Sequence, residues 1–318
     1  PRSTLEWNRR QRQMCIRDRL GIVATGLVAC QSDDSPPAEP AASAETSTAP
    51  AAAATPAELL AEVLAAQPED VQARYAFRNP GETLAFFGVE PGMTVVEALP
   101  GGGWYTKILL PYLGSDGALI GAAYSLDMYA LFPFATEEFM ARQENWTTDF
   151  VAGAEGWRGD SGASVVATRF GSMPGDVDGT VDVVLMIRAL HNLARFENAG
   201  DGPYLTTALA DAYRVLRPGG VLGVVQHHAR DDMPEDWANG QNGYLKKQRV
   251  IDAAIAAGFE LVGESDMNAN ANDQPTTDDI VWRLPPGLLT SEDDPDLRAE
   301  LEAVGESNRM TLKFVKPE

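Results

Sequence analysis

Residues 95–106 read VVEALPGGGWYT, and the fold turns on how this stretch is understood. Val95 and Val96 lead through a carboxylate, Glu97, to Pro100 and three consecutive glycines, Gly101, Gly102 and Gly103, before Trp104 and Tyr105. Glycine weakens an ordinary strand or helix by about 0.5–1 kcal/mol relative to Ala. Three of them where an apolar strand ends call for a backbone that bends sharply or a ligand that comes close.

The pattern on both sides is an alternation of strands and helices. AELLAEVLAA predicts a helix over 57–66, and a second helix ends at Gly88, with Asn79 as its N-cap and Pro80 at its first position. The first strand spans 93–98, and WYTKILLPYLG after the glycines has helical spacing. Further strands are expected at 117–124, 163–168, 179–190, 221–228, 260–265 and 310–317, with helices over 204–220, closed by Pro-Gly-Gly, and 243–259. Alternating elements with strands apolar on both faces mean βαβ units and a mainly parallel sheet between helix layers. The fold class is therefore α/β, a Rossmann-like three-layer sandwich, with a body over 57–318. Two segments near 128–162 and 268–307 interrupt the alternation and read as insertions of the lid, binding-loop or extra-helix kind.

Composition narrows the partners. The 318 residues carry a net charge of -21 and are 44% hydrophobic. Residues 1–30 hold six Arg against Glu6 and Asp18, so the remainder is more acidic still. Such a surface repels phosphate backbones, and nucleic acid is not an expected partner. Cys15 and Cys30 both precede the body, which can form no internal disulfide or thiolate metal site. His191, His227 and His228 lack zinc-ligand spacing, and no metal is expected.

The N-terminal region reads as an address. Arg17 and Arg19 precede a ten-residue apolar run, Leu20 to Ala29, too short for a bilayer core of roughly 30 Å. These zones match a secretory signal over 14–30. LVAC, ending at Cys30, resembles a bacterial lipobox, whose Cys is acylated and becomes the mature N-terminus. Residues 31–56 are rich in Pro, Ala and Ser and read as a disordered tether. Residues 1–13 fit neither zone and read as a non-native extension, with Met14 the better start. The expectation is a domain lipid-anchored in the bacterial periplasm, with Gln31 after the Cys pointing to the outer membrane.

A glycine-rich bend after the first strand of a parallel sheet sits where ligands bind, next to a helix N-terminus. No Gly-Lys-Ser/Thr follows, which excludes a P-loop. Gly101 and Gly103 could begin a dinucleotide fingerprint, but Thr106 takes the place of its third glycine. An acid followed by spaced glycines resembles the first motif of class I S-adenosylmethionine-dependent methyltransferases. Glu97 matches the acid and Gly101 and Gly103 two glycines, while Leu99 stands in place of the first. PGMTVVE, AYRVLRPGGVLGVV and AAGFELV follow in that superfamily's order. From Tyr75 to Pro317 the chain resembles, more narrowly, an exported bacterial family of predicted methyltransferases. The carrying segments are NPGETLAFFGVEPGMTVVEALPGGGWYTKILLPYL, LHNL, VVQHHA and MTLKFVKP.

The resemblance implies S-adenosylmethionine as cofactor and a set of roles. Glu97 would attract the cofactor's ammonium, or else accept turn N–H groups. Gly101, Gly102 and Gly103 would line the cofactor, and Trp104 would wall the pocket or join the core. The superfamily places an acid for the ribose hydroxyls at the end of the second strand. Ala123 or Tyr124 falls there, and Asp127 is the nearest candidate. Phe170 would stack on adenine or lie in the core. Arg188, His191 and Asn192 end the fourth strand near the transferring methyl, His191 as base or substrate ligand. Of His227 and His228, alternation lets one face the pocket, and His227 is the candidate. The acceptor, a small molecule or other methyl-accepting group, is not legible, nor is the oligomeric state. Two other functions stay open: a non-catalytic envelope binding protein on the same scaffold, and a nicotinamide-dependent oxidoreductase.

Overall fold

The computed structural model describes residues 54–318. Helix α1 (Pro56–Ala65) opens with a capping box in which Thr55 and Glu58 exchange hydrogen bonds. Short helices α2 (Glu69–Gln72) and α3 (Tyr75–Arg78) lead to α4 (Pro80–Phe87). Then follow β1 (Thr94–Ala98), α5 (Thr106–Leu113), β2 (Ala118–Ala123), α6 (Leu126–Tyr129), α7 (Glu137–Arg158), β3 (Ser164–Arg169) and β4 (Val181–Ile187). The chain continues through α8 (Leu190–Ala199), α9 (Tyr204–Val215), β5 (Leu216–His227), α10 (Lys247–Ala256), β6 (Glu260–Ser265), α11 (Pro295–Val304) and β7 (Arg309–Val315).

The strands form one seven-stranded sheet in the order β3-β2-β1-β4-β5-β7-β6. The β1 to β5 pairings are parallel, and β7 runs antiparallel to both β5 and β6. This is the Rossmann-like sandwich expected, with an antiparallel last strand. Strand order reverses between β1 and β4, which puts the glycine bend at the sheet's switch point.

Alternation along each strand divides the core between two faces. Val95, Leu119, Val165 and Leu185 pack with α1, α4, α5 and α7. Val96, Ile120, Val184, Leu222 and Leu312 pack with α8, α9 and α10. Close approach is purchased with glycine at two sheet positions. A Cβ on Gly121 would lie 2.5 Å from the Phe150 ring of α7, and one on Gly223 2.6 Å from Phe87 of α4.

Three local expectations are corrected. Asn79 stands at the N-cap of α4 as expected, but its side chain makes no capping bond: at φ 39 its amide donates to the Met267 carbonyl at 2.6 Å instead. Leu-Arg-Pro-Gly-Gly does not close α9, which ends at Val215. It begins β5, where pairing with β4 jumps from Val181↔Leu216 to Val183↔Val221. Pro218 has no N–H to give and Gly219 takes φ 71, so the motif forms a bulge. The segment 128–162 is no break in the alternation, because it holds α7, the 22-residue crossover helix between β2 and β3. The segment 268–307 is an extended excursion between β6 and β7. It is pinned by buried Asp273, which accepts from Tyr244 Oη at 2.9 Å, Arg283 Nη2 at 2.8 Å and the Asn308 N–H at 2.9 Å.

Candidate functional site

The bend after β1 is built from unusual backbone. Leu99, Gly101 and Gly103 all adopt the left-handed region, with φ 53, 57 and 77. Leu99 thus has the conformation that a glycine would supply at that motif position. A bulky residue there carries strain of order 1–3 kcal/mol, set against packing of its side chain on the α8–α10 core. The three glycines differ. Gly101 and Gly102 are exposed, and a Cβ on Gly102 would meet nothing within 4 Å. Gly103 is buried, and a Cβ there would lie 2.3 Å from the Trp157 ring of α7. The bend is therefore bare toward solvent at Gly102 and sealed behind Gly103.

Glu97 ends buried beneath the bend, accepting from the Thr106 hydroxyl at 2.7 Å. Burial raises its pKa to about 7, against the opposing effect of the Thr106 hydrogen bonds. Thr106, at the place of a third fingerprint glycine, is thus engaged in holding this carboxylate. Trp104 is half-buried. Its ring lies edge-on to Tyr105 at 4.8 Å, and the Arg78 guanidinium sits 4.5 Å over it.

A cleft of about 310 Å³ opens beyond β2 and β3, lined by Ser125, Asp127, Phe170, Gly171, Tyr204 and Thr207 among others. Two candidates chosen from sequence, Asp127 and Phe170, meet here. Asp127 is exposed in the first turn of α6. Hydrogen bonding, first from Ser125 and then from Tyr204 at 3.2 Å, outweighs partial burial and holds its pKa below the usual carboxylate value. Phe170 is only 3% exposed, so most of its ring belongs to the core. Ala123 ends β2, and the following Tyr124 is buried with its hydroxyl donating to the Ala189 carbonyl at 2.8 Å. Gly101, Gly102 and Gly103 do not line this cleft.

The rim past β4 and β5 collects the remaining candidates. Arg188 follows β4 with φ 59 and is half-buried. His191 lies in the first turn of α8, its ring 5.4 Å from that of His227 at the end of β5. Burial lowers the His191 pKa to about 4, against a Gln226 contact that raises it, with Arg188 lowering it further. Burial, His191 and Arg188 push His227 down as well. Both imidazoles are neutral at neutral pH. His227 Nδ1 lies 2.5 Å from Ser307 Oγ. His228 faces the other way, half-buried. Asn192 is half-buried, and its Oδ1 has no partner among the described residues.

The sequence reading missed what surrounds these groups. Buried Glu306 accepts from Arg74, Arg78 and Arg309, which come from the α2–α3 junction, α3 and β7. More than 200 residues separate Arg78 from Glu306, and no local pattern connects them. Arg309, a charge at the opening of a largely apolar strand that also carries Thr311 and Lys313, was the available signal. Among the described residues no group of three or more His, Cys, Asp and Glu is placed to hold a metal ion.

No protein-family model matches the chain, and no curated protein does. Solved structures resemble it in fold. A SAM-dependent methyltransferase from Aquifex aeolicus is 16% identical, over 81% of this chain and 98% of that one, with a TM-score of 0.45. An arsenic(III) S-adenosylmethionine methyltransferase from Chlamydomonas reinhardtii is 14% identical, over 82% and 73%, with a TM-score of 0.40. Geranyl diphosphate methyltransferase, solved in complex with SAM, is 17% identical, over 80% and 94%, with a TM-score of 0.43. These likenesses concern architecture, and a functional reading has to rest on the site's own residues.

Proposed function

We propose that this chain is a methyltransferase that binds S-adenosylmethionine across the switch point and transfers its methyl group to an acceptor at the β4–β5 rim. The observation that carries the reading is the bare bend at Gly101 and Gly102, at the C-terminal edge of β1 where strand order reverses. The residues present suit the cofactor's parts. The cleft beside β2 and β3 offers the Asp127 carboxylate to ribose hydroxyls and the edge of Phe170 to an aromatic base. Glu97 offers a carboxylate to an ammonium group. The bound cofactor would supply an electrophilic methyl. Neutral His191 and His227 can accept a proton, both weakly, because burial lowers the pKa of His191 to about 4 and holds that of His227 well below the usual imidazole value. Arg188 stands where an acceptor would enter.

Calorimetric titration with S-adenosylhomocysteine tests this reading. The folded wild-type chain is expected to bind in the micromolar range, and Gly102→Val to lose at least about tenfold in affinity. The melting temperature of Gly102→Val should stay within about 2 °C of wild type, because the new side chain enters open space and the backbone is not left-handed. A folded wild-type chain that binds no S-adenosylhomocysteine at high micromolar concentration sinks the proposal.

The envelope tether belongs to the same reading. It rests on Arg17 to Cys30 and on the linker composition up to residue 53, which lie outside the described residues; the linker stops short of the expected residue 56, because Thr55 caps α1 and Pro56 opens it. Among the described residues no helix is long and apolar enough to cross a membrane, so attachment of the body would depend on the acyl group at Cys30. S-adenosylmethionine is made in the cytoplasm, which favours one rival: a non-catalytic envelope binding protein. Such a protein would keep its partner after Gly102→Val.

A further inference from the structure

Four arginines converge at the rim beyond β4, β5 and β7 with one carboxylate among them. Arg74 Nε donates to Glu306 at 2.8 Å, Arg78 Nε at 3.1 Å and Arg309 Nη2 at 2.9 Å. Arg78, Arg309 and Glu306 are each 3% exposed. Burial tends to raise the Glu306 pKa, but the four arginines outweigh it and hold the carboxylate ionised. Arg188 completes the group without sharing in this bonding. Its side chain makes no hydrogen bond to any described residue, and its Nε is buried without a partner. Burial, then Arg309, lowers its pKa to about 10, and burial, then Arg188, does the same to Arg78. Arg78 and Arg188 therefore stay charged at neutral pH.

The neighbours do not balance this charge. His191 and His227 are neutral, and burial keeps the Tyr105 proton on by raising its pKa to about 12. Among the described residues Glu306 is the only carboxylate hydrogen-bonded to any of the four arginines. Clustering like charges away from water is costly unless a counter-charge comes in from outside. A guanidinium with an unused fork is shaped to take two oxygens of one group.

We propose that this cluster binds an oxyanion carried by the methyl acceptor, a carboxylate or a phosphate group, with Arg188 as the contact and Arg78 and Arg309 as the charge behind it. The proposal rests on the methyltransferase reading above, and strand order gives it direction. The Asp127 cleft lies at β2 and β3, the bare bend at β1, and the arginines at β4, β5 and β7. A cofactor with its adenosine end in the cleft and its methionine end at the bend leaves the arginines to the second substrate.

Thermal unfolding at fixed ionic strength, with chloride replaced by inorganic phosphate or by acetate, reads the site directly. One or both ions are expected to raise the wild-type melting temperature in a saturable way, and the stronger one names the acceptor's group. Arg188→Gln should weaken that effect at least about tenfold while S-adenosylhomocysteine affinity stays within about twofold of wild type. Should Arg188→Gln misfold, Arg188→Lys keeps the charge but not the fork, and a loss of at least about fivefold is expected. No stabilisation by either ion overturns the proposal, and so does stabilisation that persists undiminished in the Arg188 variant. Mutual displacement of phosphate and S-adenosylhomocysteine would also overturn it, since the arginines would then hold the cofactor's own carboxylate. Failure of S-adenosylhomocysteine to bind, with the ion effect intact, removes the methyltransferase reading and leaves the anion site standing.

Discussion

Glu97 is the residue where structure and function pull apart. With its pKa raised to about 7, the native state holds a proton that the unfolded chain releases near 4.5. Between those values the native state binds more protons, so this contribution to stability falls as pH rises through the window. The shift corresponds to about 3 kcal/mol. Glu97→Gln keeps an acceptor for the Thr106 hydroxyl and removes the titration. Urea unfolding should find the variant more stable than wild type at pH 8, by up to about 3 kcal/mol, and equal to it near pH 4. His191 acts in the opposite sense: its lowered pKa contributes stability that is present above about 6.5 and lost as pH falls toward 4. It is common to both proteins and cancels in the comparison. The same substitution should weaken S-adenosylhomocysteine binding if the ionised carboxylate meets the ligand's ammonium. That this acid ends a strand at a glycine bend was legible in Val95–Thr106. That it would be dehydrated and bonded to Thr106 was not, because depth depends on packing that local sequence does not record.

At the scale of elements, the triple glycine serves two ends, one of which the sequence conceals. Gly101 and Gly102 leave room outward, whereas Gly103 lets α7 come close behind. Gly103→Ala should cost about 2–4 kcal/mol in urea unfolding, because it meets the Trp157 ring and requires φ 77 of an L-residue. Adding Trp157→Leu should return about 1–2 kcal/mol of that loss in a double-mutant cycle, leaving the backbone part. Trp157 is 54 positions away along the chain, and no periodicity links it to the bend. The strands and their succession along the chain were legible because their apolar runs are short and bounded by turn residues, whereas their order in the sheet was not. Pro-Gly-Gly was misread because a helix stop and a strand bulge use the same residues. Length alone made 128–162 resemble an insertion, although a 22-residue helix fills most of it.

For the whole molecule, the architecture explains how an acidic protein can host a basic site. The chain has a net charge of -21, yet the strands' C-terminal rim gathers Arg74, Arg78, Arg188 and Arg309 around Glu306. An anion approaching from solution meets a repulsive exterior and an attractive interior, which favours a compact ligand over an extended anionic polymer. The proposed lipid tether would likewise act on the whole molecule. Detergent-phase partitioning of the full chain from a bacterial host should find wild type in the detergent phase and Cys30→Ser in the aqueous phase. Equal partitioning of both would remove the anchor.

The antiparallel strand β7 lies between β5 and β6, and β6 has no other partner in the sheet. During translation, then, β6 leaves the ribosome before the strand that receives it exists. The half-built sheet must wait with the edge of β5 open, and Glu306, Ser307 and Arg309 emerge with that final segment. Nascent chains should thus acquire their arginine cluster and their closed sheet in a single late event, so a synthesis stall just short of Arg309 would yield a protein lacking both.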